Sequence, residues 1–175
     1  MLTHWNKLLD TDCIVIRTGK YFVYPIFRVG YSTLMSVCDK QYINQEIIKL
    51  NQIDIMIRDP EERFVSGVNE YSRQNNIPVS DCWKLIKNGK LYDRHFTPQY
   101  MWLLHLYTYY KGLITIRPFE YIQQITTSHV NMSRQKTKVP ICEDFVKIDR
   151  YLTKFYNQTV SLPDIVKSYK KNVLS

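Results

Sequence analysis

The sequence lacks three patterns that would each indicate a class of protein. No apolar run approaches the roughly 20 residues of a membrane-spanning helix, and the beginning MLTHWNKLLDTD lacks the apolar centre of a secretory signal. The four cysteines include no Cys-x-x-Cys pair and the histidines show no metal-ligand spacing. A complete Gly-x-x-x-x-Gly-Lys-Ser/Thr loop is also absent, which disfavours an ATPase or GTPase. We therefore expect a cytoplasmic protein with no membrane span, no metal and unpaired thiols.

The composition is that of a basic, single-domain protein. The 175 residues are 45% hydrophobic and 23% charged, which suffices for one core and is too little for two ordinary domains, so residues 1–175 are expected to form one unit. The formal charge of +8 favours an anionic partner. Charge alone does not distinguish a nucleotide cofactor from an acidic glycan, a nucleic acid or an anionic membrane.

A strand-to-helix turn lies in the segment IDIMIRDPEERFVSGVNEYSR, Ile53 to Arg73. The β-type run breaks at Asp59-Pro60, and proline suits the first position of a helix, whose N-terminus attracts phosphate. A surface ion-pair cluster is the alternative interpretation of these charges. The side chains expected near this turn are Arg58, Arg63, Ser66 and Tyr71.

A second loop of the same kind lies upstream, in YFVYPIFRVGYSTLMSV, Tyr21 to Val37. A β-rich run ends near Arg28, and an apolar stretch suited to a helix follows the turn. Gly30 permits a tight turn, and Ser32 or Thr33 is expected to cap the helix and offer a hydroxyl. The predicted phosphate-binding loop consists of Arg28, Val29, Gly30, Tyr31, Ser32 and Thr33.

Together the two loops resemble the sulfotransferase superfamily, in its carbohydrate (membrane-associated-like) branch with soluble microbial and phage members. The first loop is similar to the family's 5′-phosphosulfate loop, Lys-x-Gly-x-Ser/Thr-Ser/Thr. The second is similar to its 3′-phosphate segment, Arg-x-Pro-x-x-Arg-x-x-Ser-x-x-x-x-Tyr. The segment DRHFTPQ, Asp93 to Gln99, resembles a third element, and SHVNMSRQKTK, Ser128 to Lys138, a fourth. The resemblance covers Tyr21 to Tyr151.

The resemblance implies in-line transfer of a sulfuryl group from 3′-phosphoadenosine 5′-phosphosulfate (PAPS) to a hydroxyl, with adenosine 3′,5′-bisphosphate (PAP) leaving and no metal required. Arg28 and its loop would hold the 5′-phosphosulfate, and Arg58 and Ser66 the 3′-phosphate. Arg63 is either a further phosphate contact or a brace. The basic residues that either close over the donor or form a solvated loop are Arg134, Lys136 and Lys138.

The resemblance implies two catalytic roles, a cation at the transferring group and a general base. Arg28 stands where the family usually has lysine; it keeps the charge but cannot readily give up a proton, so we expect it to act electrostatically. His95 is the first choice for the general base, because imidazole titrates near neutral pH. A purely structural His95 that pins its turn is equally open, and the other candidate bases are Asp39, Glu46 and His105.

The acceptor implied by the resemblance is a carbohydrate hydroxyl. Tyrosines and tryptophans surround the third segment, and their rings either stack on sugars or belong to a core helix. Tyrosyl, lipid and small-metabolite acceptors stay open. The rival functions are a P-loop kinase-like phosphotransferase and a noncatalytic module that binds nucleic acid, although no nucleic-acid partner is expected from arginines clustered in two loops.

Alternating strand and helix patterns predict an α/β fold, a P-loop-kinase-like parallel sheet flanked by helices in a single domain. The ligand loops should lie at the carboxyl ends of its strands. The predicted strands are Cys13 to Arg17, Tyr21 to Ile26, Ile53 to Ile57 and Leu113 to Arg117. The predicted helices are Thr33 to Leu50, Pro60 to Gln74, Gln99 to Tyr110, Phe119 to Gln124, Phe145 to Tyr156 and Leu162 to Tyr169.

Overall fold

A computed structural model describes residues 12–126 and 137–173. These residues form one α/β domain around a six-stranded mixed sheet of order β3-β1-β2-β4-β5-β6. Only β2, β4 and β5 run parallel, whereas β1, β3 and β6 pair antiparallel with their neighbours. The α/β class is confirmed, and the expectation of a wholly parallel sheet is wrong. The strands are β1 (Ile14–Thr18), β2 (Tyr21–Tyr24), β3 (Lys40–Ile43), β4 (Gln52–Ile57), β5 (Leu113–Pro118) and β6 (Gln158–Ser161).

The helices pack against the sheet and against one another. Short 3₁₀ helices occupy Asn44–Lys49, Phe119–Tyr121 and Leu152–Phe155. No helix among the residues just given is both long and apolar enough to cross a bilayer. The α-helices are α1 (Tyr31–Ser36), α2 (Pro60–Asn75), α3 (Val79–Lys87), α4 (Gln99–Tyr109), α5 (Ile122–Ile125), α6 (Glu143–Arg150) and α7 (Leu162–Val173).

The turn from β4 into α2 forms for the reasons that the sequence indicates. Ile53, Ile55 and Ile57 of β4 are fully buried, so this central strand is anchored in the core. Pro60 occupies the first helical position, and the carboxylate of Asp59 accepts a hydrogen bond from Glu62 N at 2.9 Å. The helix therefore begins as predicted.

The predicted helix Thr33 to Leu50 is wrong beyond Ser36. The carboxylate of Asp39 accepts a hydrogen bond from Gly19 N at 2.6 Å, and Asp39 N donates to Arg17 O at 2.8 Å. These contacts tie the chain to the β1–β2 hairpin, and the following residues pair with β1 as strand β3. A tertiary pairing thus overrides the local helical pattern.

Two other predicted helices have different bounds in the structure. Phe145 to Tyr156 is an α-helix that begins at Glu143 and ends at Arg150, followed by a 3₁₀ turn. Phe119 to Gln124 likewise begins as 3₁₀ and continues as α5. Helix α3 was not predicted, and neither was strand β6, which pairs with β5.

Candidate functional site

The two predicted phosphate loops meet at the carboxyl ends of the neighbouring parallel strands β2 and β4. Arg28 donates from Nη2 and Nε to Ser66 Oγ, at 2.6 and 3.2 Å, across 38 residues of sequence. Its Nη1 lies 3.6 Å from a carboxylate oxygen of Glu70. The backbone of Arg28 is left-handed, with φ of 64°. The structure thus brings Arg28 of the first loop into contact with Ser66 of the second.

The loop after Arg28 depends on a glycine. Gly30 has φ of 72°, and a Cβ added there would lie 2.2 Å from Ile122 Cδ1, so no side chain fits without a shift. Gly30 itself precedes the first turn of α1, and no side chain caps that helix, so the expected cap by Ser32 or Thr33 is wrong. Tyr31 and Thr33 are half-buried and Ser32 is exposed, while Val29 is 1% exposed and belongs to the core.

Arg58 stands at the end of β4 with its backbone held on both sides. The Gln99 side chain accepts from Arg58 N at 2.9 Å and donates to Arg58 O at 2.9 Å. The guanidinium lies 5.3 Å from the centroid of the Phe119 ring and 3.4 Å from the carboxylate of Glu62, which is 65% exposed. Arg58 therefore has a fixed backbone and only a weak surface ion pair at its charged end.

Gln99 is held in turn by a buried carboxylate. Asp149 accepts hydrogen bonds from Gln99 N at 2.7 Å and from Tyr100 N at 2.9 Å, and it is 2% exposed. Burial raises the pKa of Asp149 to about 6, although the charge of Arg63 and the two N–H donors act in the opposite direction. A buried chain from Asp149 through Gln99 thus fixes the backbone of Arg58.

Arg63 is buried and holds two segments of the site together through hydrogen bonds to their backbone. It is 1% exposed, and it donates from Nε to Phe27 O at 3.2 Å and from Nη1 to Thr97 O at 2.5 Å. Burial lowers its pKa to about 10, partly offset by the charge of Asp149. Because its bonds go to backbone carbonyls of the first loop and of the Asp93–Gln99 segment, the geometry favours the brace over a phosphate contact.

His95 is fixed by Asp93. The carboxylate oxygen Oδ1 of Asp93 accepts from His95 N at 2.8 Å and lies 2.5 Å from Nδ1. Burial alone would raise the pKa of Asp93, but the hydrogen bonds from the His95 ring and N–H outweigh it and lower the pKa. The ring lies edge-on to Phe27, with centroids 5.8 Å apart. This is the arrangement expected of a histidine that pins its turn.

The remaining residues of the motifs are less involved. Tyr71 packs edge-on against Phe96 of the Asp93–Gln99 segment, with ring centroids 6.0 Å apart. Arg134 and Lys136 lie outside the described residues, and Lys138 is exposed. Where the described chain resumes, the side-chain amide of Asn69 on α2 accepts a hydrogen bond from Thr137 N at 2.9 Å and donates one to Thr137 O at 3.0 Å.

A cavity of about 320 Å³ lies beside the first loop, and sequence reasoning missed it. Aromatic rings form much of its wall, and His105 contributes an imidazole whose Nδ1 lies 2.9 Å from Tyr24 Oη. The only sequence signal was the density of aromatic residues around the third segment. Six of the lining residues are Tyr24, Phe27, Tyr31, Arg94, Trp102 and His105.

Comparisons with protein-family models, with curated proteins and with solved structures find no match to this chain. The site is therefore characterised by its own geometry. Arg28 and Ser66 are in contact, Arg58 stands at the end of the adjacent strand, and a cavity containing a histidine opens next to them. Acidic groups compensate part of this positive charge, because Glu70 and Glu62 pair with two of the arginines.

Proposed function

We propose that the protein is a PAPS-dependent sulfotransferase with a P-loop-kinase-like core, acting on a hydroxyl acceptor for which the sequence resemblance implies a carbohydrate. The contact between Arg28 and Ser66 is the observation that supports this most. It joins the two segments that the resemblance assigns to opposite ends of one nucleotide. Both segments follow strands of the parallel centre of the sheet, where ligand sites of open α/β folds lie.

The residues present fit a donor that carries two separate anionic groups. The pair of Arg58 with the exposed Glu62 is worth about 0–1 kcal/mol, whereas a hydrogen bond to a charged group is worth about 1.5–3 kcal/mol. Arg58 therefore gains by exchanging Glu62 for a 3′-phosphate. Ser66 Oγ, already bonded by Arg28, offers its own hydroxyl proton to the same anion.

Arg28 provides the charge on which transfer depends. When bound, the donor supplies an activated sulfuryl group, and the reaction builds negative charge on the 5′-phosphate oxygen. Arg28 is held in place by Ser66 and is half-buried, so its charge is preorganised and poorly screened. Burial lowers the pKa of Arg28, yet a guanidinium still retains its proton near neutral pH, so Arg28 does not act as the acid or base.

Arg63 and His95 position the first loop. Arg63 holds the carbonyl of Phe27, the residue immediately before Arg28, and His95 packs against the Phe27 ring. His95 belongs to the Asp93–Gln99 segment, and Arg63 donates to Thr97 O within it. The three motifs therefore form one connected unit. We assign His95 to this positioning role.

Titration calorimetry with PAP, AMP and ADP tests the proposal. We expect PAP to bind much more tightly than either nucleotide without a 3′-phosphate, and Arg58→Ala to weaken PAP by about 2–3 kcal/mol while leaving AMP nearly unchanged. Lys84→Ala is the matched control, because Lys84 is an exposed cation on α3. Equal affinities for the three nucleotides would contradict the 3′-phosphate assignment. A strict magnesium requirement would instead favour a kinase-like phosphotransferase.

A further inference from the structure

A carboxylate lies between two arginines at the edge of the candidate site. Ser66, Glu70 and Arg73 occupy positions i, i+4 and i+7 of α2, so their side chains share one face of this helix. Arg28 contacts the same face from the first loop, because it donates to Ser66 Oγ and its Nη1 lies 3.6 Å from Glu70 Oε2. The three charged groups therefore follow one another in the order Arg28, Glu70, Arg73.

Glu70 is held in place by residues of its own helix. Its Oε2 accepts a hydrogen bond from Arg73 Nε at 3.3 Å, and its Oε1 accepts from Arg73 Nη2 and, at 2.8 Å, from Gln74 Nε2. Hydrogen bonds from Arg73 and Gln74 and the charges of both arginines outweigh burial and lower the pKa of Glu70, so it is charged at neutral pH. Glu70 is thus a fixed negative charge beside Arg28.

The contact of Glu70 with Arg28 is the looser of its two ion pairs. A separation of 3.6 Å exceeds the range of about 2.7–3.2 Å for a hydrogen bond, whereas Nε and Nη2 of Arg28 both donate to Ser66 Oγ. Nη1 is therefore the nitrogen of Arg28 that a ligand oxygen can approach more closely than Glu70 does. An anion bound there would share one cation with Glu70 and would be repelled by it.

The other arginine of the site is paired with a carboxylate that can move away. Nη2 of Arg58 lies 3.4 Å from Glu62, whose side chain is 65% exposed, whereas the side chain of Glu70 is 18% exposed. An exposed glutamate can turn into solvent when a phosphate takes its place. Glu70 cannot do so without breaking its hydrogen bonds to Arg73 and Gln74. The repulsion therefore persists at the Arg28 end of the site.

We propose that Glu70 lowers the affinity of Arg28 for the 5′-phosphate of PAP, and that Arg73 limits this effect by neutralising Glu70. The inference rests on the proposed sulfotransferase function, which assigns Arg28 to the 5′ end of the nucleotide. Product release limits turnover in many enzymes, and a product bound by arginines at both ends dissociates slowly. Glu70 is therefore a residue that promotes PAP release, and it acts through Arg28 without touching the nucleotide.

Three nucleotides test the role of Glu70 by calorimetry: PAP, AMP with its 5′-phosphate alone, and adenosine 3′-monophosphate. We expect Glu70→Gln to tighten PAP and AMP by the same factor, about three- to tenfold, and to change the affinity for adenosine 3′-monophosphate less than about twofold. Asp164→Asn, which removes an exposed carboxylate of α7, controls for the change in net charge. Weaker PAP binding by Glu70→Gln, or equal tightening of all three nucleotides, would overturn the inference.

A double-mutant cycle tests the role of Arg73. Arg73→Gln should weaken PAP about two- to fivefold in the parent protein and less than about 1.5-fold in the Glu70→Gln background, because Arg73 acts through Glu70. The same loss in both backgrounds would show that Arg73 attracts the nucleotide by its own charge, and would overturn its assigned role. Failure of the parent protein to bind PAP would remove the sulfotransferase proposal and this inference with it. Tight PAP binding that Glu70→Gln leaves unchanged would overturn this inference alone.

Discussion

Arg28 and Ser66 are joined by two hydrogen bonds to one hydroxyl oxygen, at 2.6 and 3.2 Å, so the first phosphate loop is docked on helix α2. The contact spans two parallel strands and leaves Nη1 of Arg28 near Glu70 at 3.6 Å. Ser66 adds no charge of its own, whereas Glu70 offsets part of the charge of Arg28. The chemistry assigned to Arg28 depends on this arrangement.

Replacing Arg28 with alanine should lower the single-turnover rate of sulfate transfer about 10²–10³-fold, because one preorganised charge partner is lost. PAP binding, measured by calorimetry, should fall much less. Arg28→Lys should remain active, since lysine keeps the charge. Transfer at the parent rate by Arg28→Ala would mean that another cation stabilises the leaving oxygen.

Replacing Arg63 with glutamine should lower the free energy of unfolding by about 3–5 kcal/mol, measured by urea denaturation. The change removes donors from Phe27 O and Thr97 O and leaves the charge of Asp149 without a nearby cation. Arg150→Gln is the control, because the ion pairs of Arg150 are exposed and should contribute about 0–1 kcal/mol. Similar losses in the two variants would contradict the brace assignment.

Protonation of Asp149 at low pH should stabilise the folded state relative to the unfolded state. Its pKa is about 6 in the folded state against an ordinary value of 3.8, so the folded state binds a proton more tightly. The contribution of Asp149 is therefore favourable below pH 4 and declines as the pH rises to about 6, by about 3 kcal/mol. Asp149→Asn cannot titrate, so the stability difference between parent and variant should change over this range.

Denaturation curves at several pH values measure this difference. Asp81→Asn serves as the control, because it removes a half-exposed carboxylate on α3, whereas Asp149 is buried. A difference between parent and Asp149→Asn that is constant from pH 4 to 7 would show that Asp149 is charged throughout in the folded state.

Replacing Gly67 with alanine should lower the free energy of unfolding by about 1–3 kcal/mol, as expected for overpacking. A Cβ at Gly67 would lie 2.3 Å from His95 O, so α2 and the Asp93–Gln99 segment would have to separate. PAP affinity should fall as well, because Arg63 and Gln99 link that segment to the phosphate loops. Asn75→Ala, exposed near the end of α2, is the control; an unchanged melting temperature for Gly67→Ala would contradict the close packing.

The parts of the fold that local chemistry determines were predicted correctly. The start of α2 follows from Asp59 and Pro60, and the centre of the sheet follows from the alternating isoleucines of β4. Strands β3 and β6 have the polar sequences KQYI and QTVS, which carry no strand pattern of their own. They are strands because β1 and β5 offer them hydrogen-bonding partners, and strand direction is likewise decided by tertiary contacts.

The sequence indicated candidate site residues only where they are close along the chain or follow the motif spacing. The motif spacing indicated Arg58 and Ser66, but it could not distinguish a phosphate contact from a brace at Arg63, because burial depends on how α2 packs. The cavity was not predictable, since Tyr24 and His105 lie 81 residues apart and meet only in the folded chain.

The directions of the strands also indicate the order in which they pair during folding. Strands β1, β2 and β3 pair antiparallel within the first 43 residues, and hairpins of this kind form in about 1–10 μs. The parallel pairing of β2 with β4 requires a longer loop to close, and β5 and β6 join later still. During synthesis on the ribosome, the residues of the Arg28 loop therefore emerge before their partner Ser66. We expect that loop to adopt its folded conformation only when α2 docks.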